Sequence, residues 1–293
     1  MTGIQNDASL RGKVKAVAKR YAIRPQEVLQ MYLFEHFLLR LSRSDYADRF
    51  VLKGGLLVSA LTGIANRTTM DMDTTVTGLD MDEASIVKTV NAICSTPAED
   101  DMTYHLERME PIREVDEYAN WRAHIRVRYG RIDAPIKLDI TTGDAIVPGQ
   151  VSYGYPLMFK DGTIDVMAYP LVTVLAEKLE TVVRRGTANT RGRDFYDIFV
   201  LMKLEDEPID SQQLQEALAA TAERRGSMHL MADYRRRLEE IRSSRVMRES
   251  VWERYAASAP YAKGIGFDEV VDAACRLAGA AMGNESAPAR GMS

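Results

Sequence analysis

The chain has 293 residues, a formal net charge of −4, ordinary apolar and charged fractions, and two cysteines. That length supports one large domain or two modest ones with a real core. No run approaches the roughly 18 apolar residues a membrane span requires. The N-terminus Met1-Thr2-Gly3-Ile4-Gln5 lacks the basic-then-apolar pattern of a secretory signal.

Cys94 and Cys275 are far apart with no C-x-x-C, which speaks against a disulfide framework or a zinc site and for a cytoplasmic setting. His36, His105, His124 and His229 have no metal-ligand spacing. The charge is uneven, with arginines gathered at Arg122-Arg126-Arg128-Arg131, Arg184-Arg185-Arg191-Arg193, Arg224-Arg225 and Arg235-Arg236-Arg237. A local basic face can bind a polyanion on an acidic protein, because screening limits each charge to about 10 Å of reach. The competing reading is that these arginines solvate helix surfaces and pair with nearby glutamates.

Helical spacing runs from Ser9 to Tyr21, and Pro25 opens a longer helix to Ser42 with a broad apolar stripe. Phe50–Leu52 reads as a short buried strand ended by Gly54-Gly55, followed by a brief helix from Leu56 to Leu61. Met70–Val76 returns as a strand carrying Asp71 and Asp73, and a helix follows over Asp82–Cys94. Thr103–Arg108, Ala123–Tyr129 and Ile136–Ile140 alternate as strands. After Pro170 the pattern is helical, with segments at Leu171–Arg184, from Asp194, and at Ser211–Glu223, His229–Glu249 and Phe267–Met282. The expected organisation is α+β. Residues 1–165 form a mixed-sheet domain, residues 166–283 a helical C-terminal half, and residues 284–293 a disordered tail.

Asp71 and Asp73 lie two apart on the expected strand and so share a face. Two such carboxylates repel unless a cation joins them, and hard Mg²⁺ favours oxygen ligands of this kind. A D-x-D in a surface turn is the alternative. Gly54 and Gly55 would let backbone N–H groups approach phosphate oxygens at a helix N-terminus, or would simply make a tight turn. Asp139, between Leu138 and Ile140, either meets solvent or lines the same site; in the second case three carboxylates suit a two-metal centre. Lys178 falls on or beside an apolar helix stripe, where a triphosphate would give it an anion. Asp194 opens the next helix as a cap or first-turn acid.

These residues together resemble a known family. Lys53-Gly54-Gly55, Arg67-x-x-x-Asp71-x-Asp73, the strand Leu138-Asp139-Ile140, Leu175-Ala176-Glu177-Lys178-Leu179 and Arg191-x-Arg193-Asp194-Phe195-Tyr196-Asp197 follow the order of the AbiEii nucleotidyltransferase-like toxins. That family includes the MenT toxins, and its systems are met in abortive-infection phage defence. The resemblance spans Phe50 to Met202 and implies a polymerase β-like nucleotidyltransferase fold. It implies metal binding at Asp71 and Asp73 with Asp139 as third strand acid, and catalytic roles for Lys178 and Asp194. Nucleotide-binding positions fall at Lys53, Gly54, Gly55, Arg67, Thr69 and Lys178, with Thr69 also where some members carry a modifiable hydroxyl. Met72 stands where Ile or Phe is usual, and Thr74 and Thr75 where the strand is often more apolar; neither change removes a chemical group.

The expected function is therefore a toxin that uses Mg²⁺ and a nucleoside triphosphate to add nucleotides to the 3′ acceptor end of tRNA, restrained by a separately encoded antitoxin. The alternatives are nucleotidyl or phosphoryl transfer to a small molecule or protein hydroxyl, and a non-catalytic nucleotide-binding partner module.

Overall fold

A computed structural model describes residues 6–112, 120–204 and 209–283. The tail expected over 284–293 lies outside the described residues. The chain divides into two compact units: Met1–Asp144 with Gln150–Tyr169, and Ala145–Gly149 with Pro170–Ser293.

The first unit begins with α1 (Asp7–Tyr21), capped by the Asn6 side chain, which accepts the Ser9 N–H at 2.9 Å. Its buried residues Leu10, Val14 and Ala18 recur every fourth position, giving one apolar stripe. The next helix, α2 (Pro25–Ser42), starts with proline at its first turn, where the missing N–H costs nothing. It buries side chains on most of its circumference, among them Val28, Met31, Leu33, Phe34, Phe37, Leu38 and Leu41. A helix apolar on so many sides belongs inside a core.

Strand β1 (Phe50–Lys53) runs directly into α3 (Gly54–Thr62), and β2 (Met72–Val76) returns antiparallel to β1. Helix α4 (Glu83–Ser95) is capped by Asp82, whose carboxylate accepts the Ser85 N–H at 3.0 Å. Strands β3 (Thr103–Ile112), β4 (Asn120–Tyr129) and β5 (Ile132–Thr141) follow, with an irregular register in β3 between Leu106 and Arg108. Two further strands, β6 (Val151–Pro156) and β7 (Thr163–Ala168), were not expected. β6 contains Gly154 and ends at Pro156, both poor strand formers, and it is one of the two edge strands, with β3 at the other end.

The seven strands form one mixed sheet in the order β3-β4-β5-β2-β1-β7-β6. β2 is parallel to β5 and β1 is parallel to β7; the other pairs are antiparallel. One face carries Phe50, Leu52, Met72, Ile136, Leu138, Ile140, Ala123, Ile125 and Val127, all buried. The other face carries Lys53, Asp73, Asp139 and Arg122.

The second unit is helical. It comprises α5 (Leu171–Arg185), α6 (Gly192–Leu201), α7 (Ser211–Arg224), α8 (Met228–Met231) and α9 (Tyr234–Ser243), then a π-helical segment Val246–Glu253 continuing into α10 (Arg254–Ser258), and α11 (Phe267–Ala281). The single helix expected over His229–Glu249 is thus broken twice. Asp233, at φ −106° and ψ 19°, separates α8 from α9, and Ser244, at ψ 115°, leaves the helical region altogether. Glu180 is fully buried in this unit, and its carboxylate is satisfied by Arg184 (2.7 Å), Arg225 (2.7 Å) and Ser227 (2.8 Å).

Candidate active site

The register of four strands assembles a charged row that no single segment encodes. Lys53 of β1 pairs with Asp73 of β2, Asp73 with Asp139 of β5, and Asp139 with Arg122 of β4. Cross-strand partners project to the same face. Asp139 therefore faces the same side as Asp73. Its two oxygens are held in a bidentate pair by Arg122, with Nε and Nη2 each at 2.7 Å. That hydrogen-bonded carboxylate raises the Arg122 pKa, with Asp71 and Glu110 adding to the effect.

Asp71 stands in a bend one residue before β2, not on the strand as expected. The Thr69 hydroxyl fixes this bend, donating to the Asp71 carbonyl at 3.0 Å and accepting the Asp71 N–H at 3.4 Å. Arg67 is buried and donates to the Thr68 carbonyl, while Ser59 of α3 donates to the Arg67 carbonyl at 2.6 Å.

Gly54 and Gly55 are the first two residues of α3, so the expected glycine turn is itself the helix start. Gly54 has φ +64°, and a Cβ there would lie 2.1 Å from Asp73 Oδ2. At Gly55 a Cβ would lie 2.9 Å from Thr69 Oγ1. The missing side chains let the Asp73 carboxylate and the Thr69 hydroxyl close on the positive end of the helix.

Lys53 Nζ donates to Thr141 Oγ1 at 2.7 Å and pairs with Asp144. Asp144 also accepts from Thr75, from Thr141 at 3.1 Å and from Tyr169 at 3.0 Å. Burial disfavours the Asp144 charge, but Lys53 and these donors hold its carboxyl well below the usual range. Sequence reasoning missed Asp144, Tyr169 and Arg122. Asp144 follows Thr141-Thr142-Gly143 in an irregular stretch with no motif, whereas Arg122 was recoverable from the alternation of β4.

In the second unit Lys178 of α5 reaches Asp194 (3.0 Å) and Asp197 (2.8 Å) on α6, and Arg191 lies 3.2 Å from Asp194. Asp194 and Asp197 are both buried. Gly192 starts α6 against α10 and the π-helical segment, since a Cβ there would meet Tyr255 at 2.7 Å and the Val251 carbonyl at 3.1 Å. The lysine on the apolar stripe thus meets carboxylates of its own unit, and Asp197 joins the pair that the sequence singled out.

Among the described residues no group of three or more histidine, cysteine, aspartate or glutamate side chains is placed to hold a metal ion. Asp71 and Asp73 provide the hard oxygen donors magnesium favours. Both oxygens of Asp139 accept from Arg122. Asp71 and Asp73 are the residues whose donors would suit such an ion, and Asp139 keeps lone pairs beyond the two that Arg122 engages.

A seven-stranded mixed sheet with this charged row and a helical second unit defines a nucleotidyltransferase-like fold. A presumed nucleotidyltransferase from H. pylori shares it at TM-score 0.50 and 15% identity, covering 90% of this chain and 100% of that one. JHP933 from Helicobacter pylori gives TM-score 0.48 at 14% identity, covering 88% of this chain and 94% of that chain. An antigenic nucleotidyltransferase-like protein from Paracoccidioides brasiliensis gives 0.38 at 18%, covering 70% and 92%. No curated protein matches in sequence. The family described as "Nucleotidyl transferase AbiEii toxin, Type IV TA system" matches residues 36–273, and the chain belongs to it. Membership implies an antitoxin partner. No helix among the described residues is long and apolar enough to cross a membrane.

Proposed function

We propose that this protein is a cytoplasmic, magnesium-dependent toxin that transfers nucleotides from a nucleoside triphosphate to the 3′ acceptor end of tRNA and so blocks translation. The observation that carries the reading is the closure of Asp73 onto Gly54 at the start of α3, beside Asp139 and Lys53 in one row. In the reaction the acceptor hydroxyl oxygen bonds to the α-phosphorus, the bond to the β-phosphate oxygen breaks, and pyrophosphate leaves. Asp71 and Asp73 would hold magnesium, which when bound offsets charge on the triphosphate. Asp139 is the candidate to orient the acceptor hydroxyl and take its proton. Gly54 and Gly55 open the helix N-terminus to phosphate oxygens, with Lys53, Arg67 and Thr69 bordering that end. Lys178 and Asp194 carry the roles the family resemblance gives them, supported by their buried pairing. Such transfers rely mainly on positioning and electrostatics.

The test incubates purified protein with total RNA and each labelled nucleoside triphosphate in turn. The reading requires label at tRNA 3′ ends, loss of that label in Asp71→Ala and Asp73→Ala, and weaker RNA binding as salt rises. Label appearing only in small molecules or protein, or an Asp71→Ala protein that still labels tRNA, would refute it.

A further inference from the structure

The first unit contains a cavity of about 300 Å³ lined by Tyr32, Glu35 and His36 of α2, by Asp100–Met102, by Tyr129 and by Phe159-Lys160, together with Glu99. Tyr129 shares its strand face with Ala123, Ile125 and Val127, so the cavity opens on the side of the sheet opposite the charged row. Three polar side chains lining it are more than nine-tenths buried: Glu35 is 3% exposed, Tyr32 5% and Tyr129 7%. Glu35 accepts one hydrogen bond, from the Met158 N–H to Oε2 at 2.7 Å. Neither its Oε1 nor the hydroxyls of Tyr32 and Tyr129 has a hydrogen-bond partner among the described residues. These atoms face the cavity with hydrogen-bonding capacity that the protein does not use, so a guest entering there meets several partners at once.

The chemistry of the lining selects the guest. Asp100 is occupied by His36 (2.6 Å) and Arg40, and is not available to a ligand. Glu99 lies 3.8 Å from Arg43, while Glu35 and Asp101 share the lining with the ammonium of Lys160, so the cavity offers carboxylate acceptors beyond those already engaged. Tyr32 and Phe159 form an aromatic wall with ring centroids 5.2 Å apart. The Phe159 face already draws one cation, Lys13 Nζ at 5.5 Å from its centroid. A guest with several N–H donors, a positive charge and a flat or slender shape meets all of these groups.

We propose that this cavity is a binding site for an organic cation of the guanidinium or alkylammonium class, its charged head donating to Glu35 Oε1 and its body lying against Tyr32 and Phe159. Burial pushes the Glu35 carboxyl up, so an incoming cation also restores the stability of its charge. The guest is either a free amine or the arginine or lysine side chain of a partner protein. The site is independent of the transfer reaction.

Calorimetric titration of the full chain with agmatine, with N-acetyl-arginine methylamide and with the uncharged ureido analogue N-carbamoylputrescine tests this directly. Saturable binding of one or both guanidinium probes is expected, with the ureido analogue at least about tenfold weaker. Tighter binding of agmatine identifies a free amine as the guest, and tighter binding of the capped arginine a protein side chain. Glu35→Gln keeps the volume and the acceptor for Met158 and is expected to weaken binding at least about tenfold. If that variant fails to fold, Tyr32→Phe and Phe159→Leu, each expected to weaken binding several-fold, serve in its place. No saturable binding by either guanidinium probe, or unchanged affinity in these variants, would overturn the proposal and leave a water-filled cavity. None of these readouts involves nucleotide transfer, so their failure and that of the proposed activity are separable.

Discussion

Replacing Gly54 with alanine separates a backbone effect from a site effect within one helix. Gly54 has φ +64°, and an L-residue in that conformation costs about 1–2 kcal/mol. The added Cβ would also sit 2.1 Å from Asp73 Oδ2, 2.7 Å from Cγ and 2.8 Å from Cβ. Ordinary contact begins near 3.4 Å, so the carboxylate must retreat by roughly 1.3 Å (3.4 less 2.1). A displacement of about 1 Å in a positioned catalytic group can cost about a hundredfold in rate. Gly63, at the other end of α3, supplies the control. Its φ is +84°, yet nothing lies within 4 Å of a Cβ built there. Both alanine variants should therefore lose stability in urea denaturation, about 1–3 kcal/mol from backbone strain since Gly63 has ψ 150°, but only Gly54→Ala should lose about a hundredfold in labelled-nucleotide incorporation. If the two variants incorporate nucleotide at comparable rates, the contact between Gly54 and Asp73 has no part in the chemistry.

Other expectations follow from the ion pairs. Asp144→Asn removes the carboxylate charge that pairs with Lys53 and should cost about 2–3 kcal/mol in denaturant titration, below the range for a fully buried pair because both partners keep some exposure. Asp144 has a depressed folded-state pKa, so its contribution is present above the ordinary carboxylate range and is lost as pH falls through the folded value; acid titration of Asp144→Asn should lack that component. Lys178→Ala removes the ammonium that Asp194 and Asp197 share, with Arg191 still 3.2 Å from Asp194, and should cost about 3–5 kcal/mol. Adding Asp197→Asn should recover part of that loss, and a stable single variant would contradict the buried-pair argument. Asp71→Ala removes a half-buried side chain, so its denaturation midpoint should stay within about 1 kcal/mol of wild type while incorporation is abolished. A destabilised Asp71→Ala would make its inactivity uninformative.

The helices of the first unit were legible because their signals are local. Pro25 sets the start of α2, and the fourfold spacing of Leu10, Val14 and Ala18 sets the buried face of α1. The break of the expected His229–Glu249 helix was not legible, because Tyr234–Ser243 and Val246–Glu253 both keep helical composition. What interrupts them is the extended backbone of Ser244, a residue that favours departure from a helix without requiring it. Strand β7 was nearer to hand: Ile164, Val166 and Ala168 alternate and are all buried. Its length of six residues and the weak neighbouring strand β6, with a glycine and a terminal proline, hid it.

The candidate site shows a different limit. Asp71, Asp73 and Asp139 stood out as acids in apolar surroundings, but which charge meets which is decided by register, a non-local property. The register places two carboxylates, Asp73 and Asp139, directly opposite each other on a parallel pair, an arrangement that is destabilising between like charges. The flanking positions answer it. Arg122 lies on the outer side of Asp139 and Lys53 on the outer side of Asp73, so the row reads cation, anion, anion, cation across β4, β5, β2 and β1. Arg122 commits fully to Asp139, whereas Lys53 is drawn aside to Asp144 and Thr141. The Asp139 charge is met by a bidentate partner, and the Asp73 carboxylate closes on the N-terminal end of α3 at Gly54.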